Sequence, residues 1–139
     1  MQTFLDYYQR RIQPQMAAID LFLKTEEAPY AIEAVTALLA IPVEEGQTML
    51  AEEKVSLITK GIFFRFMQKG SSPLCGMFRR VLSCGLPKQY TPQEISYIFD
   101  LPLPDVERAA AEIGKTVFSE AMLPGLFGRI LISDKQYQQ

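Results

Sequence analysis

The 139-residue sequence has no histidine, no tryptophan and only two cysteines. Without imidazole there is no histidine general acid or base, no Ser-His or Cys-His nucleophile pair and no imidazole metal ligand. Cys75 and Cys84 form no C-x-x-C pattern and would point to nearly opposite sides of a continuous helix, so both read as buried thiols. The longest weakly charged run, Val55 to Met67, contains Lys60 and Arg65 and is too short to span a bilayer. The opening residues Met1 to Asp6 carry neither a basic segment nor an apolar one of the export type, so a cytoplasmic protein with no membrane partner is expected. Acidic residues are missing from one whole stretch. From Lys54 to Gln93 there are seven basic residues and no acidic one, which divides a chain of net charge −2 into a segment of +7 and a remainder of −9.

What is present points to helices. Thr91 is placed to cap a helix with Pro92 in its first turn and Glu94 closing a capping box. Ile95, Ile98 and Phe99 share one face until the Pro102 and Pro104 pair. Val106, Ala109, Ala110, Ile113 and Val117 continue as a second stripe. At the N-terminus Phe4, Leu5, Tyr8 and Ile12 are followed by Met16, Ile19, Phe22 and Leu23, with Pro14 predicted to kink or split the helix. The segment Lys54 to Lys69 is apolar most of the way round and is expected to be the central helix.

The stretch Phe99-Asp100-Leu101-Pro102-Leu103-Pro104-Asp105-Val106 resembles a generic helix-turn-helix hairpin, with Asp100 where such turns carry glycine. Residues 30–52 align with 90–112 without gaps, matching Tyr30, Pro42, Ala51 and Glu52 to Tyr90, Pro102, Ala111 and Glu112. Ala40 then stands level with Asp100. Further on, Gly76, Phe78, Arg79 or Arg80, and Leu82 match Gly125, Phe127, Arg129 and Leu131 if about eleven extra residues are placed in the first copy. The fold expected is an all-α, compact multi-helix bundle of two helix-turn-helix-like units around a central hydrophobic helix. A single domain spans 1–139: an N-terminal helical segment 1–28, a first unit 29–88 with its central helix at 54–69, a second unit 89–133 and a polar tail 134–139.

The same residues exclude more chemistry than they suggest. Gly70-Ser71-Ser72 is not a phosphate-cradling loop, and Glu44-Glu45 with Glu52-Glu53 reads as a solvated face, because carboxylate metal sites in bundles usually add histidines. No enzyme activity and no cofactor are expected. The candidate contacts for a partner or an anion are Lys60, Arg65, Lys69, Arg79, Arg80 and Lys88. The favoured role is a non-enzymatic protein-interaction or regulatory module, with a protein partner, a second copy of the chain, or both. A nucleic-acid-binding regulator using the basic segment 54–88 comes second, since Glu44, Glu45, Asp105 and Glu107 on the second helices oppose phosphates. Apolar small-molecule binding in the bundle comes third. In the favoured reading Arg79 and Arg80 meet the acidic hairpins within the protein or across a dimer.

Overall fold

A computed structural model describes residues 2–133. The expected polar tail 134–139 lies outside the described residues. The fold is all-α: 67% of it is helical, with two short antiparallel sheets. The chain divides into two compact units, a middle unit of Gln13–Arg79 and a terminal unit of Met1–Ile12 with Arg80–Gln139. The segment 1–28 is thereby shared between them.

In the terminal unit, β1 (Gln2–Thr3) pairs antiparallel with β4 (Leu131–Ile132). The Thr3 side chain then accepts from the Asp6 N–H and opens α1 (Phe4–Tyr7). The helix continues through a π-type turn, Tyr8–Ile12, into α2 (Gln13–Thr25) of the middle unit. It does not split at Pro14. A proline lacks the N–H and clashes with the carbonyl four residues back, and the widened turn directly before it accommodates both.

The middle unit contains the first hairpin. Helix α3 (Ile32–Leu39) ends at Ala40 in the left-handed region, the Ile41 N–H returns to the Thr36 carbonyl (3.0 Å), and Pro42 opens α4 (Val43–Glu53). Helix α4 ends at a second left-handed residue, Lys54. Residues 55–59 are non-helical, with a bend at Ser56 and Leu57, and Ile58 is buried and forms a bridge with Tyr30 (Tyr30 N to Ile58 O 2.9 Å). Thr59 then caps α5 (Lys60–Lys69) by accepting from the Ile62 N–H. The helix expected at 54–69 therefore starts at Lys60, because the left-handed Lys54 and the bridge at Ile58 take the first residues out of helical geometry. Phe63, Phe66 and Met67 of α5 are buried with Val35, Leu39, Met49 and Ile58, and α6 (Pro73–Ser83) adds Leu74 and Cys75 to the same core.

The terminal unit contains the second hairpin. The capping box at Thr91 and Glu94 is present (Thr91 N–H to Glu94 Oε1 2.9 Å, Glu94 N–H to Thr91 Oγ1 3.2 Å). It opens α7 (Pro92–Phe99), and Asp100 is left-handed. The Leu101 N–H returns to the Ser96 carbonyl (3.0 Å), and Pro102 opens α8 (Leu103–Ile113), which ends at the left-handed Gly114. Strand β2 (Gln89–Tyr90) pairs with β3 (Phe118–Ser119), with Tyr90 opposite Phe118. Ser119 precedes a 3-10 turn, Glu120–Met122, and α9 (Leu123–Phe127). The core here joins Phe4 and Tyr8 to Ile95, Val106, Phe118, Leu126 and Phe127.

Each of these features lies 60 residues after its counterpart: Ile32 and Pro92, Leu39 and Phe99, Ala40 and Asp100, Val43 and Leu103, Lys54 and Gly114, Tyr30 and Tyr90, Ile58 and Phe118, Thr59 and Ser119. At this spacing of 60 the correspondence needs no eleven extra residues. Gly125 stands level with Arg65, and Phe127 with Met67, so the match to Gly76 and Phe78 is replaced by an ungapped one. The earlier match followed a local Gly-x-Phe likeness, whereas burial follows the cap and the bridge that set where the third helix begins.

Candidate interaction surface

The basic segment is mostly engaged by the protein itself. Lys69 Nζ lies 2.8 Å and Arg65 3.6 Å from the same Glu53 oxygen. The Lys69 hydrogen bond, assisted by the charges of Arg65 and Lys69, holds the Glu53 carboxyl below its ordinary range, with partial desolvation opposing. Two exposed cations on one half-buried carboxylate form a network at the surface, where each pair contributes little by itself.

Arg79 and Arg80, adjacent in α6, go elsewhere than the hairpin carboxylates. Arg79 donates to the carbonyls of Gln68 (3.0 Å) and Gly70 (2.7 Å), at the C-terminal end of α5. Arg80 Nε donates to the carbonyl of Ile98 (2.9 Å), in the last turn of α7. The last carbonyls of a helix lack intrahelical donors and carry the negative end of its dipole, so a guanidinium there supplies both a hydrogen bond and a charge. Each arginine thus finishes a helix. The carboxylates they were expected to meet have other partners or face solvent: Glu45 accepts from Ser71 N (2.9 Å) and Ser71 Oγ (2.5 Å), Glu112 pairs with Arg108 and Arg129, and Glu44 and Glu52 are exposed.

Lys60 and Lys88 are exposed and have no partner among the described residues, as is Lys54. Helix α5 buries Phe63, Phe66 and Met67, while Lys60, Phe64, Arg65 and Gln68 are exposed. One turn separates Lys60 from Phe64, so the two side chains share a face. Phe64 is 42% exposed although its ring meets Phe63 edge-on at 6.0 Å, and in the non-helical lead Leu57 is 58% exposed. The central-helix expectation counted both among its apolar residues. Reading the period from Phe63, Phe66 and Met67 alone would have placed Phe64 outside.

Cys75 is buried, and its burial raises the thiol pKa; Cys84 is only half-buried, because it lies past the last turn of α6. Among the described residues no group of three or more cysteine or acidic side chains could hold a metal ion, and no helix is long and apolar enough to cross a membrane. Compared with protein-family models, curated proteins and solved structures, the chain matches none.

Proposed function

We propose that this chain is a non-enzymatic protein-interaction or regulatory module of the cytoplasm, built from two degenerate copies of one helical-hairpin unit. The observation that carries the reading is the congruence of residues 30–72 with 90–132. It reaches the packing, where a bulky and a small residue exchange places: Thr36 faces Gly46 in the first copy, and the equivalent positions hold Ser96 and Val106 in the second. Duplicated hairpins serve as scaffolds for surfaces. The charged groups of the basic segment support that role over catalysis, since Arg65, Lys69, Arg79 and Arg80 brace helix ends or a hairpin carboxylate. The same engagement favours a protein partner over nucleic acid, because few cations are left to displace counterions from phosphates.

The test is purification of the tagged full-length chain from its native cell at physiological salt, with protein and nucleic acid scored separately and the mass measured by sedimentation. A stoichiometric protein partner or a defined homodimer is the expected outcome. Submicromolar binding to DNA or RNA at physiological salt, or turnover of a substrate, would replace this reading.

A further inference from the structure

Resting on the interaction-module reading, we infer that residues Lys54 to Phe64 of the middle unit dock an acidic polypeptide segment that carries apolar side chains. Comparison with the other unit isolates the surface. The scaffold position of Phe64 is held in α9 by Pro124, that of Lys60 by Glu120, that of Lys54 by Gly114, and those of Arg65 and Gln68 by Gly125 and Gly128. Both third helices bury equivalent positions, Phe63, Phe66 and Met67 against Leu123, Leu126 and Phe127. The fold therefore requires the buried set and leaves the exposed set free. In the middle unit that exposed set includes an aromatic ring one turn from the unpaired Lys60, with Leu57 and Val55 exposed in the lead to the helix.

Its chemistry selects the occupant. A half-exposed phenylalanine and an exposed leucine offer apolar contact that water does not satisfy. Lys54 and Lys60 have no partner among the described residues; Lys54 follows Glu52 and Glu53, but Glu53 is committed to Arg65 and Lys69 and no acidic residue follows until Glu94, so the complement of the two lysines is anionic. Two unpaired cations and two exposed apolar side chains within residues 54–64 suit an amphipathic acidic segment better than a phosphate backbone, which rewards a longer track of cations.

The probe is a fluorescent synthetic peptide of Glu, Leu and Ala, with leucines at i, i+3, i+4 and i+7, added to the full-length chain. Its counterpart has every Glu replaced by Lys. The acidic peptide is expected to bind saturably and more weakly as salt rises, while the basic one does not bind. Phe64→Ala should weaken binding about tenfold, the loss typical of an aromatic anchor. Lys60→Glu, at an exposed position where folding is unaffected, should weaken it several-fold and provides the answer if Phe64→Ala lowers the melting temperature. Equal binding of both peptides, or binding indifferent to both variants, overturns the inference. So does tighter binding by the same residues to phosphatidylserine vesicles, to an oligonucleotide or to a second copy of the chain. A native partner retained by both variants overturns this surface and leaves the interaction reading standing; if the unaltered chain brings down no protein, that reading fails and this one with it.

Discussion

The two hairpins reach one backbone with different side chains, and the places where they differ separate what the geometry demands from what it tolerates. A Cβ added to Gly46 would lie 2.6 Å from the Thr36 methyl carbon, so α3 and α4 approach closely only because position 46 is glycine. In the second hairpin Ser96 lacks that methyl, and Val106 is buried opposite it. The bulk moves from the first helix of the hairpin to the second, with a net gain of two carbons, so each pair is packed to its own fit. The turns differ in another way. At the four helix ends of the two hairpins, left-handed backbone is held by Ala40, Lys54 and Asp100, and by a glycine at Gly114. The lesson is that the hairpin is specified by its buried stripe and its proline, while glycine at the turns is optional at a cost in backbone energy.

The comparison predicts equivalence at buried positions, and this is the largest effect. Val35→Asp and Ile95→Asp, both at 0% exposure and 60 residues apart, should each abolish cooperative melting followed by circular dichroism, since an unpaired buried carboxylate costs several kcal/mol. A variant that melted within a few degrees of the parent would break the equivalence. Next comes the exchanged pair. Gly46→Val should destabilise by about 2 kcal/mol in urea titrations, and adding Thr36→Ser should recover a substantial part of that, giving a non-zero coupling in a double-mutant cycle. Strict additivity would mean that the two positions do not share a volume.

The helix-end arginines come third. Arg80→Ala should lower stability by about 1.5 kcal/mol, the scale of a partly buried hydrogen bond from a charged donor. A loss confined to low salt would instead mark Arg80 as a surface charge. At the turns, Ala40→Gly should stabilise and Gly114→Ala destabilise, each by about 1 kcal/mol. A Cβ at Gly114 meets nothing within 4 Å, so backbone strain alone would act there. Opposite signs in thermal melts support that account, and equal signs sink it. The smallest effect separates the two tyrosines. The buried Tyr30 hydroxyl has no hydrogen-bond partner among the described residues, whereas Tyr90 is half-buried. Tyr30→Phe should therefore raise stability by about 0.5 kcal/mol while Tyr90→Phe leaves it nearly unchanged. A destabilising Tyr30→Phe would mean the hydroxyl is satisfied.

Local chemistry alone determined the helical class, the Thr91 and Glu94 cap, the break at Pro102 and the ungapped correspondence of residues 30–52 with 90–112, because caps, prolines and periodicity act within one or two turns. The start of α5 was not legible in the same way. Val55, Leu57 and Ile58 carry the same apolar signal as the helix that follows, and only the bridge from Tyr30 to Ile58 and the left-handed Lys54 mark them as non-helical. The candidate site divides along the same line. That residues 54–93 are basic is a matter of composition. Which cations are free is not: Arg79 reaches carbonyls nine and eleven residues away and Arg80 one eighteen residues away, and α5 turns Phe64 outward once Phe63, Phe66 and Met67 are committed to the core. Hydrogen bonds to distant helix ends and the rotation of a helix on its core depend on neighbours remote in sequence, and those are set only when the chain is packed.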